Sequence, residues 1–168
     1  MTEAIQQRTP WWRRWFVQPI SKQLTQGITP EKLGWTIATG VVLGIFPIMG
    51  STTFICFFAA WFFKLNQPVM QVACHAVYAL HLALILVFIR AGQWLFGAEP
   101  ISLSIPQLIK QFMGDPWRFA QNFGVAALQG IVAWLILAPV LLILIKAISI
   151  PLLKRLARRI KQRKETTA

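Results

Sequence analysis

The chain has 168 residues, 56% hydrophobic and only 13% charged, with a mean hydropathy of +0.56. A soluble domain carries about 25% charged residues, so the composition argues against a water-facing domain and for a chain embedded in a membrane. The net charge is +12, but the basic residues gather before Leu33 and after Ile150, as they do at the cytoplasmic ends of membrane proteins. Nucleic acid is not expected as a partner, because binding it would need those charges on a folded aqueous surface.

Residues 1–28 read as a cytoplasmic interfacial segment. In a helix, Trp11 and Trp15 share a face, as do Trp12 and Phe16, while Arg13 and Arg14 turn towards anionic headgroups. The same Trp and Arg residues stand where a cleavable signal needs an apolar core. The first membrane segment is therefore expected to act as its own insertion signal.

Residues 29–64 are predicted to form a helical hairpin. Thr29 caps it, Pro30 suits the first helical position, and Glu31 complements the helix dipole. From Leu33 to Phe63 there is no charge, a run longer than the ~20 residues one crossing needs. Pro47 and Gly50, followed by Ser51, Thr52 and Thr53, break it in the middle. The second arm, of about 13 residues, makes roughly 20 Å of helix. The hairpin either re-enters on one side or crosses tilted and sheltered. Gly40 and Gly44 are spaced to let another helix approach closely, within the chain or in a second copy.

Residues 66–97 are read as one continuous membrane helix, with Asn66 as cap, Pro68 in its first turn and Arg90 closing the apolar run. Gln71, Cys74, His75, Tyr78 and His81 form a single polar stripe along it, directed at other helices or at a proton or ligand pathway. Cys74, Tyr78 and His81 lack an acidic companion, so no metal is expected. Cys56 and Cys74 lie in apolar surroundings and read as buried free thiols.

Residues 98–115 are read as an external loop with an amphipathic piece. Asp115-Pro116 starts a membrane helix over 116–150, kinked at Pro139. Residues 151–168 form a basic tail, with Leu152, Leu156 and Ile160 on one side. Lys154, Arg155, Arg158, Arg159 and Lys161 fill the other, suited to anionic lipid. Five basic residues precede Leu33 (Arg8, Arg13, Arg14, Lys22, Lys32). Eight begin at Lys146 (with Lys154, Arg155, Arg158, Arg159, Lys161, Arg163 and Lys164), and three (Arg90, Lys110, Arg118) flank or lie in the middle loop. Both termini are thus expected in the cytoplasm and the loop outside.

The set Gly27-x-Thr29-Pro30, Ala38-x-Gly40-x-x-x-Gly44-x-x-Pro47-x-x-Gly50-x-x-Thr53 and Lys64-Leu65-Asn66-x-Pro68 resembles the bacterial membrane family called domain of unknown function 2062. Arg90-x-Gly92-x-Trp94-Leu95 resembles that family's close of the third segment. The resemblance covers nearly the whole chain and implies an integral protein of the bacterial inner membrane, without implying a reaction. It departs where the family has Asn-Pro-x-Thr, since Tyr78, Ala79, Leu80 and His81 stand there.

The expected fold is all-α: a polytopic membrane protein with a broken hairpin over 33–63, two further membrane helices and interfacial ends. Two functions fit: a transporter-like or lipid-handling module built on the hairpin, or an anchored interaction protein acting through its cationic termini. The site candidates are the hairpin and turn residues, including Asn66 and Pro68, and the polar stripe. No phosphate loop, paired carboxylates or zinc-protease signature is present, so neither catalysis nor a cofactor is expected. The expected partners are anionic lipid and a second copy of the chain.

Overall fold

The structure, a computed structural model, describes residues 28–99 and 104–167, and every regular element among them is a helix. Helix α1, Pro30–Gly44, starts where Thr29 Oγ1 accepts the Lys32 N–H at 3.3 Å. The chain leaves helical geometry at Ile45 and turns through Pro47 and Gly50, whose φ of +83° suits a residue without Cβ. Ser51 Oγ donates to Ile48 O at 2.9 Å, closing the turn. Helix α2, Thr52–Phe62, runs back for 11 residues.

Asn66 Oδ1 then accepts the Val69 N–H at 3.1 Å and starts α3, Gln67–Ala76. Val77, at φ −98° and ψ 11°, separates α3 from α4, Tyr78–Leu95. The single continuous helix expected here is therefore two. No proline or glycine lies at the break, so local propensity gives no warning of it. The amphipathic piece of the loop is α5, Ile105–Gly114. Asp115 Oδ1 accepts the Arg118 N–H at 3.0 Å and caps α6, Pro116–Thr167. Helix α6 runs on through both Pro139 and Pro151, so the basic tail is its last turns, not a separate element after residue 150.

Three levels of packing hold the helices together. At the end where α1 and α3 begin, Leu33, Val69 and Leu153 are buried together, and a Cβ at Gly34 would come within 2.6 Å of Ile150 Cγ1. In the middle, Val42, Ile45, Phe88 and Trp134 form the main cluster. There the Trp134 indole donates to Val42 O at 3.2 Å and meets Phe46 edge-on at 5.0 Å between centroids. At the far end, the backbone of α4 at Gly92 lies directly on α6 at Gln129, where a Cβ would fall 2.3 Å from the carbonyl. Helices α1, α3 and α4 thus ascend while α6 descends beside them.

A side cluster of Cys56, Ala60, Met70 and Cys74 fastens α2 to α3. Two rungs reinforce it: Gln67 Nε2 donates to Phe57 O and Gln71 Nε2 to Thr53 O, each at 3.2 Å.

The outer surface is strongly apolar. Helix α2 exposes Phe54, Phe57, Phe58, Trp61 and Phe62, and α6 exposes Leu135, Ile136, Val140, Ile143 and Leu144 along its middle. Helices α4 and α6 are long and apolar enough to cross a membrane, and only 28% and 11% of their most apolar 18-residue windows are buried.

Candidate functional site

Two breaks in helical geometry meet inside the bundle. Helix α1 ends at Gly44, and a Cβ there would lie 2.8 Å from Val77 Cγ2 and 3.0 Å from the Cys74 Cα and O. The absent side chain lets the end of α1 rest on the place where α3 gives way to α4. Val77 packs into the main cluster with Leu43 and Phe46, so tertiary packing occupies this break. Pro47, at the centre of the first break, is buried, whereas Ile48, Met49 and Gly50 face outward.

His81 is one turn beyond Val77. It is fully buried, and among the described residues neither Nδ1 nor Nε2 has a hydrogen-bond partner. It shares a face with Val77 and Leu84, four before and three after, both packed against the main cluster. The Tyr78 ring stands edge-on to it at 5.9 Å, and Tyr78 is 44% exposed. Buried imidazole nitrogens without partners are costly, which sets His81 apart from the apolar side chains around it.

The expected polar stripe is not a single face. The break at Val77 divides it, leaving Gln71, Cys74 and His75 on α3 and Tyr78 and His81 on α4. His75 is exposed, with Nδ1 2.8 Å from Gln71 O, and Gln71 is engaged with α2. Cys74 is buried as a free thiol in the side cluster with Cys56. Among the described residues no three His, Cys, Asp or Glu side chains gather as a metal site.

The hairpin set separates in the same way. Gly40 is pressed against α3, its absent Cβ 2.8 Å from Met70 O and 2.9 Å from the Ala73 Cβ. The Gly40/Gly44 face is therefore filled by the chain's own α3, leaving no room there for a second copy. Thr53 and Ser51 lie at the turn and the start of α2. Asn66 and Pro68 belong to the opposite end, where the Asn66 N–H reaches Thr36 Oγ1 at 3.4 Å.

At that opposite end the basic groups collect. Lys154 Nζ lies 2.8 Å from Glu31 Oε1. This hydrogen bond, more than the backbone contact beside it, holds the Glu31 carboxyl below the usual carboxylate range. Lys146 Nζ sits 3.9 Å over the Trp35 ring, a cation–π contact. Arg155, Arg158 and Arg159 are exposed on α6. Arg13 and Arg14 lie outside the described residues, as does the side chain of Lys161. Sequence reasoning passed over Val77 and Trp134. An indole in an apolar run, whose N–H needs an acceptor, was the available signal for the latter.

Fold and site together define an all-helical protein with two helices suited to a membrane and two broken helices joined at their breaks. The model of a bacterial family described as "Uncharacterized protein conserved in bacteria (DUF2062)" matches residues 13–164, and the chain belongs to that family. No curated protein and no solved structure matches the chain.

Proposed function

We propose that this is a multi-pass protein of the bacterial inner membrane that shelters or passes a small polar or amphipathic molecule where its two broken helices meet. In this reading α3–α4 and α6 cross the bilayer. The α1–α2 hairpin enters from the cytoplasmic side and returns: its arms of 15 and 11 residues make about 22 and 16 Å of helix, short of a ~30 Å core. Both termini are cytoplasmic. The apolar outer faces of α2, α4 and α6 support immersion in lipid, since a soluble protein does not leave such continuous apolar surface in water.

The observation that carries the functional reading is the contact of Gly44 with Val77 beside the unpartnered His81. Interrupted helices at membrane depth persist where protein or a ligand cavity covers them, and transporters place binding groups at such interruptions. The test is flux of a solute panel, and flip of fluorescent phospholipid, in proteoliposomes, comparing the native chain with Gly44→Leu and His81→Leu. Transport or flip that both variants lose supports the reading. Rates equal to empty vesicles for every solute and lipid remove it.

A second reading has an observation of its own: α6 carries Arg155, Arg158 and Arg159, exposed, on a helix continuous with its apolar part. It makes the protein an anchored interaction module acting at anionic lipid or on a partner. Deleting residues 155–168 would then abolish partner recovery while leaving membrane insertion intact; unchanged recovery counts against it.

A further inference from the structure

The end of the bundle opposite the basic tail contains an open cavity of about 720 Å³, lined by the end of α4, the start of the α4–α5 link, α5 and the first turns of α6. Its walls differ from the rest of this apolar chain. Gln93, Gln111, Asn122 and Gln129 place four carboxamides around it. Helix α4 presses on α6 at Gly92, which sets Gln93 beside Gln129. Gln93 is only 3% exposed, and its Oε1 has no hydrogen-bond partner among the described residues. A buried amide oxygen without a partner is costly, so Gln93 is the residue beside the cavity where an added donor would gain most.

The charges bordering the cavity indicate which donor. The Arg118 guanidinium lies 3.4 Å from the Asp115 carboxylate in an exposed pair at the rim, where solvent also screens its charge. Glu99 remains as a further acceptor and opposes an anionic ligand. Phe119 and Phe123 add stacked rings at 5.7 Å between centroids, inclined at 17°. Each carboxamide offers a donor and an acceptor together, the pattern that hydroxyl groups present in return. Ring faces supply apolar area, and the polar groups fix orientation.

We infer that this cavity binds a neutral polyhydroxylated group, a saccharide or the sugar headgroup of a lipid, with Gln93 and Asn122 as principal contacts. The inference stands apart from the site at the helix breaks, whose failure would leave it intact.

The test uses the full chain in a sugar-free amphipol, following tryptophan fluorescence during titration with glucose and maltose. It is repeated in phosphatidylglycerol vesicles with and without monoglucosyl diacylglycerol. We expect a saturable signal from at least one sugar source, weakened tenfold or more in both Gln93→Leu and Asn122→Leu. Saturation by free sugars identifies a solute site, and saturation by the glycolipid alone identifies a headgroup site. Circular dichroism and the thermal midpoint establish that each variant is folded. Because Asn122 lines the cavity from an exposed position, its variant remains informative if Gln93→Leu fails to fold. Absence of saturation with every sugar source overturns the inference. So does binding unchanged in a folded variant, or a stronger response to phosphatidylethanolamine vesicles than to glycolipid.

Discussion

His81 illustrates a conflict between stability and use within one side chain. An unsatisfied buried polar group costs about 1–3 kcal/mol, so His81→Leu is expected to raise the unfolding midpoint in detergent while lowering transport or flip. Lower stability on that substitution would show that the imidazole has a structural partner. Trp134 has the opposite character, because its N–H reaches the Val42 carbonyl across the main cluster. Trp134→Phe should destabilise by about 1–2 kcal/mol in denaturant unfolding, with no loss beyond that in function.

The Glu31–Lys154 pair ties the start of α1 to the last part of α6. Its carboxyl titrates below the ordinary range. The stabilisation is therefore complete above the carboxylate's unfolded pKa and is lost as pH falls through the lowered folded value. Acid should loosen that end of the bundle in hydrogen exchange, and Glu31→Gln should remove the pH dependence. The pair is solvent-exposed, so the effect should be small and sensitive to salt.

At the scale of elements, the caps were legible from single residues. Thr29, Asn66 and Asp115 each accept the backbone N–H three residues on, as short polar side chains before a proline-led helix are expected to do. The break at Val77 was not legible. Its residues, Ala76, Val77 and Tyr78, carry no helix-stopping chemistry, and what opposes them is Gly44, more than 30 positions earlier. The family's Asn-Pro is missing here, yet helical geometry is still interrupted next to the matching position. In this chain the interruption goes with the packing of Val77 against Gly44. The cavity at the far end was equally hidden, because its amides come from α4, α5 and α6 and show no common period. Gly92 should be the least tolerant position of α4: the backbone of α6 stands where a Cβ would be. Gly92→Ala is expected to part the helices and cost roughly 1–3 kcal/mol or more, read as a fall in thermal midpoint. Gly124, with open space around its Cβ position, is the control and should accept alanine without loss.

For the molecule as a whole, the apolar exterior sets the orientation problem. Helix α6 has 52 residues, about 78 Å if straight, far beyond one ~30 Å crossing. In the proposed arrangement its basic last turns would project past the hydrocarbon on the side where Glu31 meets Lys154. Helix α1 begins at that same end, and the carboxamide cavity lies at the other. The charge bias is the ground for the proposal that the basic end faces the cytoplasm.

The most direct measurement is a paired topology reporter in growing cells, one fusion after Ala168 and one inserted at Ala98. The account predicts a cytoplasmic signal from the first and an external signal from the second. The reverse pattern, or the same side for both, would contradict it.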